Sequence, residues 1–428
     1  MTDQITENAK AILLLCGRFS ENEQGGVSPL SVKEYDDVAT WLLSKSWWPS
    51  DLLKEENREA LNDAFAPVQP DRMKSLLARG AGMALAIEKW TNKGLWVLCR
   101  SDQDYPQRLK QHLKRNAPPI LYGAGERELL SKGGLAVVGS RNIDADGEKF
   151  AREVGQCAAE SGMQLVSGAA RGVDEAAMHG AFSAGGNVVG VLADSLLRAA
   201  VSGKYREGIR DGQLVLVSNY NPEAGFSVGN AMGRNKYIYA LADYAVVVSA
   251  DYRQGGTWAG AEEELKRESG RPVFVRTGAN VPKGNSELVT LGGLPFPDDG
   301  LKGNLKDALK TASAGTTTSV ATATETPATC VQPKSQVQSF EVHETPTAAR
   351  TKPVAVPSSV YDVVKPLILK TLEKPRKLDD LAKVLQIRKP QLQDWVKLLI
   401  AEGVLERRTI RKIKKLAIRK ASEELKLT

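Results

Sequence analysis

The fold of this chain is decided by two stretches of sequence, LAVVGSR at residues 135–141 and QLVSGAARGVD at residues 164–174. Each stretch begins with apolar residues and ends with small residues followed by an arginine. Strands that are apolar at every position are buried on both faces, as in a parallel sheet covered by helices. The two stretches therefore predict neighbouring strands whose carboxyl ends carry loops of Gly, Ser and Arg.

The same pattern recurs along the middle of the chain. Further apolar runs are separated by helix-like stretches such as Asp146–Glu160 and Ala259–Glu268. Strands that alternate with helices indicate an α/β fold, a Rossmann-like doubly wound domain with a mostly parallel sheet. The predicted strands are Leu135–Val138, Gln164–Val166, Val188–Leu192, Leu214–Val217, Tyr244–Val248 and Val273–Val275.

Composition divides the chain into four parts. Residues 1–130 are predicted to form a mostly helical N-terminal domain, with a capping box at Ser31 and Glu34, and residues 131–310 the Rossmann-like domain. Residues 311–358 are rich in Thr, Ala, Ser, Pro and Val, which favours a flexible linker. Residues 359–428 carry apolar residues at helical spacing and then alternate apolar with basic residues, in the order of a winged helix.

The charge of the chain is unevenly distributed. The net charge is +7, but residues Tyr361–Thr428 alone hold 18 Lys and Arg against 9 Asp and Glu. A basic C-terminal part indicates either a polyanionic partner or a merely solvated tail.

Other classes of protein are disfavoured by what the chain lacks. The four cysteines are scattered and only three histidines are present, which argues against a disulfide framework and a metal site. No apolar run approaches the roughly 20 residues of a membrane helix, and the polar N-terminus differs from a secretory signal. We therefore expect a cytoplasmic protein that has no membrane contact.

The two loops after the first strands supply candidate anion contacts. Gly139 lets the backbone approach a phosphate, and Arg141 offers several hydrogen-bond donors. The second loop, with Gly168 and Arg171, would lie beside the first at the carboxyl edge of the sheet, where open α/β sheets bind ligands. The alternative is a pair of tight turns with solvated arginines. A Gly-x-Gly-x-x-Gly fingerprint is absent after the strand, so NAD is not expected.

Two further residues in this region are assigned structural roles. Asp174 is predicted to cap the next helix, and His179, inside that helix, is predicted to pack rather than to catalyse. The sequence shows no nucleophile–histidine–acid arrangement, carboxylate dyad or Walker motif. It therefore favours a binding protein over an enzyme.

The combination of the two loops strongly resembles the DNA-processing protein A (DprA/Smf) family, whose Rossmann-like domain carries a G-S-R turn and an S-G-x-A-R-G-[IV]-D turn followed by a histidine. The segment Gly233–Ile238 is similar to the family's R-N-R-I-I element. A SAM-like helical N-terminal domain and a C-terminal winged helix also fit the family.

The resemblance implies a protein that binds and protects single-stranded DNA (ssDNA), forms a homodimer and loads a RecA-type recombinase. The setting would be natural transformation, recombination or defence, and no cofactor is expected. Carried over residue by residue, the resemblance assigns ssDNA contacts to Gly139, Ser140, Arg141, Ser167, Gly168, Arg171, Lys204, Arg234, Asn235 and Lys236.

One loop departs from this family. Gly255-Gly256-Thr257, with Glu262 and Glu263 behind it, is similar to LOG-type phosphoribohydrolases, which cleave the N-glycosidic bond of nucleoside monophosphates. In those proteins the glycines hold a phosphate at a helix N-terminus and a glutamate serves the ribose. The alternative function is therefore a LOG-like nucleotide sensor or hydrolase that uses Gly255, Gly256, Thr257 and Glu263. The same residues also fit a helix cap followed by a solvated helix face.

The C-terminal domain offers a second set of DNA contacts. Basic residues fall in or just before the predicted recognition helix and along the wing, where they would neutralise phosphates of ssDNA or duplex DNA. A protein-docking module is the alternative. The candidate contacts are Arg388, Lys389, Lys397, Arg407, Arg408 and Arg411.

Overall fold

The computed structural model describes residues 5–19, 27–62, 67–278 and 280–318 of this chain. Near the C-terminus it also describes residues 365, 368–372, 380–381, 384, 392, 396, 399–400, 404–410 and 413–418. The chain divides into two compact units, Met1–Pro327 and Ala328–Thr428. Among the helices in these ranges, none combines the length and the apolar content that a membrane crossing requires.

A nine-stranded sheet forms the centre of the first unit. Along the chain its strands are β1 (Trp96–Cys99), β2 (Ile120–Gly125), β3 (Leu135–Gly139), β4 (Leu165–Ser167), β5 (Val188–Val191), β6 (Leu214–Ser218), β7 (Tyr244–Ser249), β8 (Val273–Val275) and β9 (Leu294–Pro295). In the sheet they lie in the order β1-β2-β6-β5-β4-β3-β7-β8-β9. The strands β6, β5, β4, β3, β7, β8 and β9 run parallel to one another. Strand β2 pairs antiparallel with β6, and β1 pairs antiparallel with β2. The predicted α/β fold with a mostly parallel sheet is confirmed.

The predicted strands are also confirmed individually, since β3 to β8 coincide with the six apolar runs. The physical reason is visible in β3. Leu135 and Val137 pack into one apolar cluster, and Ala136 and Val138 pack into another. Both faces of the strand are therefore buried, which explains why the sequence shows no polar alternation.

Helices cover the two faces of the sheet and build most of the N-terminal part. In chain order they are α1 (Glu7–Cys16), α2 (Val32–Ser44), α3 (Pro70–Leu77), α4 (Gly80–Thr91), α5 (Gln107–Leu113), α6 (Ala145–Glu160), α7 (Val173–Ser183), α8 (Leu196–Ala200), α9 (Gly203–Arg210), α10 (Val228–Leu241), α11 (Gly255–Leu265), α12 (Lys283–Thr290) and α13 (Leu305–Thr318). The capping box predicted at the start of α2 is present: the backbone amide of Ser31 donates to Glu34, and the amide of Glu34 donates to the Ser31 hydroxyl.

The N-terminal part also contributes strands to the sheet. Both β1 and β2 precede residue 130, where the sequence places a domain boundary, and β2 pairs with β6 through Tyr122 opposite Ser218. The side chains of Ile120, Leu121 and Tyr122 are buried, because this edge of the sheet is covered on both faces. The chain up to Pro327 forms one compact unit, and the boundary at residue 130 stays a prediction.

The second unit is described in part. An apolar cluster joins helical residues to the start of a two-stranded hairpin, β10 (Leu405–Ile410) and β11 (Ile413–Ile418). The buried members of this cluster are Ile368, Leu372, Leu381, Leu392, Val396, Leu399 and Leu405. Helical residues followed by a hairpin agree with the expected order of elements, and the winged-helix assignment stays a prediction.

Candidate functional site

A cleft of about 310 Å³ opens at the carboxyl ends of β3 and β7. The direction in which the sheet grows along the chain reverses between these two strands. From β3 the strands β4, β5 and β6 are added on one side, and β7, β8 and β9 are added on the other side. Open α/β sheets bind ligands at such a point, because the loops on either side diverge and leave a crevice. The starts of helices α10 and α11 form the remaining walls.

The first predicted loop, Gly139-Ser140-Arg141, lines this cleft. Gly139 contacts Val173 so closely that a Cβ atom would collide with it, which keeps the end of β3 tight against α7. Ser140 Oγ accepts a hydrogen bond from the backbone amide of Asn142 at 3.1 Å. The guanidinium of Arg141 is exposed at the cleft and lies 4.7 Å from the ring centre of Phe226.

The second predicted loop runs from Ser167 to Asp174 and has a more structural role. The Ser167 hydroxyl is fully buried and donates to the carbonyl of Val137 at 2.8 Å, so it bonds within the sheet and not, as expected, to a ligand. Gly168 contacts the guanidinium of Arg234, which leaves no room for a side chain. Arg171 is exposed on this loop but does not line the cleft.

The prediction that Asp174 caps α7 is wrong. Gly172, with φ of 82°, occupies the N-cap because the loop needs a left-handed residue there, and Asp174 is the second residue of the helix. Its carboxylate accepts from the backbone amide of Ala170 at 3.4 Å and so holds the loop against the helix. Burial raises the pKa of Asp174, although the nearby Arg234 guanidinium opposes this shift.

Arg234 lies at the floor of the cleft, and only 4% of its surface is exposed. One guanidinium nitrogen donates to the carbonyl of Val191 at 2.7 Å and lies 4.0 Å from the Asp174 carboxylate. Among the described residues, its Nε has no hydrogen-bond partner. Burial lowers the pKa of Arg234. The residue therefore supplies a buried cation that fixes β5 and the second loop from beneath the cleft.

The two residues that follow Arg234 on α10 lie on different sides of the helix. Asn235 lines the cleft, and its side-chain amide donates to the carbonyl of Gly256 at 2.8 Å, joining α10 to the start of α11. Lys236 lies outside the cleft, with its ammonium 5.2 Å from the ring centre of Tyr237. Burial lowers the pKa of Lys236. The sequence predicted phosphate contacts for both residues, and the structure brings only Asn235 to the cleft.

The N-terminus of α11 faces the cleft. Gly255, with φ of 74°, begins this helix, and Gly256 and Thr257 line the cleft beside it. The amides of a first helical turn have no partner within the helix, and the helix dipole favours negative charge there. This end of α11 therefore adds an anion-binding element to the cleft.

The two glutamates of the same helix do not reach the cleft. Glu262 accepts from Trp258 Nε1 at 3.1 Å and pairs with Lys266 at 2.8 Å, and the bond to Lys266 lowers its pKa. Glu263 pairs with Arg267 at 3.0 Å. The arrangement of glycines and glutamate expected for a LOG-like site is therefore not assembled.

Lys204 and His179 lie outside the cleft as well. Lys204, on α9, forms an ion pair of 2.6 Å with Glu175 in the first turn of α7. The prediction that His179 packs in the interior is wrong: its ring is exposed and is held between Arg152 at 3.0 Å and Ser183 at 3.3 Å. The position lies outside the buried face of α7, whose apolar members are Val173, Ala176, Ala177, Met178 and Ala181.

The family model for DNA recombination-mediator protein A matches residues 96–293. Over these residues the chain is similar to the DprA/Smf family. DprA from Bacillus subtilis is 25% identical over 268 residues, which cover 58% of this chain and 84% of that protein. DprA from Streptococcus pneumoniae is 31% identical over 180 residues, which cover 42% of this chain and 61% of that protein.

A solved structure shares the fold of the DprA/Smf domain. The X-ray structure of DprA from Streptococcus pneumoniae superposes with a TM-score of 0.53 at 21% sequence identity, covering 68% of this chain and 94% of that one. The family match begins at Trp96, the first residue of β1. The antiparallel strands β1 and β2 therefore lie within the DprA/Smf match.

Sequence reasoning missed one wall of the DprA/Smf cleft. Phe226, Val228 and Met232, at the start of α10, line the cleft with 53%, 63% and 45% of their surfaces exposed. Asp251 also lines it and is exposed. Sequence analysis usually assigns apolar residues to the core. The sequence signal for this wall is the helix N-cap at Ser227, next to apolar residues on the solvent-facing side of the first helical turns.

The predicted contacts of the C-terminal unit lie mostly beyond what the structure describes. Arg388, Lys389, Lys397 and Arg411 are outside the described residues. Arg407 and Arg408 belong to strand β10, where they are opposite Leu416 and Lys415. Their assignment to DNA stays a prediction.

Proposed function

We propose that this chain is a single-stranded DNA-binding protein of the DprA/Smf type and that the cleft is its platform. The observation that carries the proposal is the contact of the exposed Arg141 guanidinium with the exposed Phe226 ring at the cleft. A single strand presents both phosphates and free base faces, so a cation beside an exposed ring can contact both. The relatives named DNA processing proteins support the same class of ligand.

Two further elements support an anionic ligand in the cleft. The N-terminus of α11 presents free amides at Gly255–Thr257, and the buried guanidinium of Arg234 lies beneath the floor. Neither element reads a base sequence. We therefore infer that the cleft binds the backbone of a strand with little sequence preference.

A free nucleotide is the alternative ligand, and the geometry does not favour its hydrolysis. Cleavage of an N-glycosidic bond needs a carboxylate at the sugar, and Glu262 and Glu263 are held outside the cleft by ion pairs. Two carboxyls line the cleft: the buried Asp174, which is engaged with the amide of Ala170, and the exposed Asp251. The glutamates of the LOG-like pattern are not among them, so this pattern gives hydrolysis no support and binding is the function proposed.

The proposal extends to the role of the bound strand. We propose that the protein protects ssDNA and loads a RecA-type recombinase onto it, as a homodimer in the cytoplasm, during DNA uptake, recombination or defence. The support is the family resemblance and the description of the matching family as a recombination mediator.

The first test is a titration of the full chain with fluorescent single-stranded and double-stranded oligonucleotides at two salt concentrations, with AMP as a competitor. We expect tighter binding of single strands, weaker binding at high salt because counterions are released, and no displacement by AMP. Absence of ssDNA binding, or displacement or turnover of AMP, would reject the proposal in favour of a nucleotide-binding protein.

The C-terminal unit is proposed as a second DNA contact. Basic residues occur on both strands of the β10–β11 hairpin, with Arg407 and Arg408 on β10 and Lys414 and Lys415 on β11. The strong basic excess of residues 361–428 supports the same interpretation. Duplex DNA is the further ligand proposed for this unit.

Deletion of Tyr361–Thr428 should lower the affinity for long single strands on the order of 10²-fold, because two tethered modules raise each other's effective concentration. The measurement is fluorescence anisotropy with long and short oligonucleotides. The short ones serve as the control, since one module can hold them and their affinity should change little. Complete loss of binding would show that the DprA/Smf domain is not the platform.

A further inference from the structure

A second pocket, of about 170 Å³, lies between the N-terminal helices and the sheet. Its walls come from the end of α1, the start of α2, the start of β2 and the segment after β6. We call it the Arg18 pocket. The residues that matter for its chemistry are Arg18, Leu30, Pro118, Ile120, Tyr122 and Tyr220.

The Arg18 pocket lies at the same edge of the sheet as the cleft. The parallel strands β3, β4, β5 and β6 all end at this edge, and β2, being antiparallel to β6, begins there with Tyr122 opposite Ser218. The edge therefore continues from the cleft across the ends of β4, β5 and β6 to the Arg18 pocket.

Tyr220 stands between the two sites. Its hydroxyl lies close to Gly233 of α10, since a Cβ atom added at Gly233 would be 2.9 Å from the Tyr220 hydroxyl oxygen. The next residue of α10 is Arg234, at the floor of the cleft. On its other side Tyr220 lines the Arg18 pocket. The ring is partly exposed and is therefore accessible to a ligand that lies along this edge of the sheet.

The segment that carries Tyr220 is held in place by hydrogen bonds. The amide of Tyr220 donates to Ser218 Oγ at 3.1 Å, and the side-chain amide of Asn221 donates to the carbonyl of Arg18 at 2.6 Å. The backbone at Arg18, just beyond α1, and the segment after β6 are thus joined at this point, which places Arg18 beside Tyr220 at the pocket.

The charges around the pocket favour an anion. The Arg18 side chain is exposed, and no described residue bonds to its guanidinium. The carboxylates of helix α2 have partners of their own, since Glu34 pairs with Arg72 at 2.5 Å, and Asp36 pairs with Arg100 and Arg115. Arg18 is therefore the unneutralised charge among these groups.

The walls of the pocket add an apolar surface to this cation. Pro118, Ile120 and Leu30 line it together with the rings of Tyr122 and Tyr220. Flat apolar walls beside an aromatic ring and a free guanidinium are the features on which bases stack and phosphates bind in proteins that hold single strands.

We propose that a single strand leaving the cleft crosses Tyr220 and places its next nucleotide in the Arg18 pocket, with the phosphate at Arg18. This inference rests on the proposed function and makes the binding surface longer than the cleft. It also assigns a DNA contact to the N-terminal part of the chain, upstream of the family match at residues 96–293.

The test is a length series of fluorescent oligothymidylates on the full chain, with Arg18→Ala and Tyr220→Leu as variants. For the wild type, affinity should rise with length until the strand fills both sites. Each variant should bind the shortest oligonucleotides like the wild type and lose roughly tenfold on the longer ones, since Tyr220→Leu removes a stacking surface and Arg18→Ala removes a phosphate contact. Arg18 is exposed, so its removal leaves the core intact.

Matched variants make the outcome decisive. Tyr220→Phe keeps the ring and should bind like the wild type, as should Lys310→Ala, which removes an exposed cation of α13 that lines neither site. If the Arg18→Ala and Tyr220→Leu variants follow the wild-type length series, the Arg18 pocket is not a DNA site and the proposed function stands. A wild type that binds no ssDNA at any length would overturn both.

Discussion

Replacing Arg141 and Arg171 together by alanine should weaken ssDNA binding roughly 30-fold at moderate salt, since each lost charge-assisted contact costs about 1 kcal/mol. The salt dependence should fall as well, by about 1.4 in the slope of log affinity against log salt, because each phosphate contact with a single strand contributes about 0.7. Arg141 is the exposed cation of the cleft, and Arg171 lies on the neighbouring loop.

The measurement is an anisotropy titration at several salt concentrations. The matched control is the double variant Lys302→Ala and Lys306→Ala, which also removes two exposed cations. These lysines lie near Leu305, whose backbone amide donates to the hydroxyl of Ser161 just beyond the end of α6. The end of α6 is at the edge of the sheet opposite the cleft. The control should bind like the wild type. An unchanged salt slope in the arginine variant would place the DNA elsewhere on the protein.

Asn285→Ala should lower the free energy of unfolding of the first unit by about 3–5 kcal/mol, the largest effect we expect from a single substitution. Asn285 is fully buried in α12, and its side chain makes three hydrogen bonds with backbone groups. It accepts from the amide of Ala250 at 2.9 Å and donates to the carbonyls of Val248 at 3.0 Å and Arg276 at 2.8 Å. Alanine would remove all three bonds and leave the amide of Ala250 and the carbonyl of Val248 buried without this partner.

Denaturant unfolding followed by tryptophan fluorescence measures this change. Ser286→Ala, at the exposed neighbouring position, should alter stability by less than about 0.5 kcal/mol. Because Asn285 holds the end of β7, and with it the loop that leads to α11, ssDNA affinity should fall in parallel. Full stability in the Asn285→Ala variant would mean that water replaces the lost bonds.

The strands could be predicted from sequence because burial on both faces leaves an unmistakable pattern. Runs such as Leu135–Val138 have no polar position, and such runs alternating with helices permit few topologies. The location of the cleft followed from the same argument, since loops at the carboxyl ends of parallel strands meet at one edge. Arg141 was found in this way.

The orientation of individual side chains could not be predicted, because it depends on contacts between distant segments. Ser167 has the residue type of a phosphate ligand, but its hydroxyl bonds to Val137 of the neighbouring strand. Arg234 and Lys236 are two positions apart on one helix, so the helical phase turns one under the cleft and the other away from it. Phe226 shows the converse case, an aromatic residue that is exposed.

The short strand β2 has a protective role that becomes clear when its neighbours are considered. It covers the outer edge of β6 with four residue pairs, from Tyr122 opposite Ser218 to Gly125 opposite Val215, and β1 covers β2 in turn. An uncovered β6 would be an apolar edge strand, a template for edge-to-edge aggregation between molecules. A shortened chain that begins after residue 130 would expose this edge. We therefore expect such a shortened chain to aggregate more readily than the full chain.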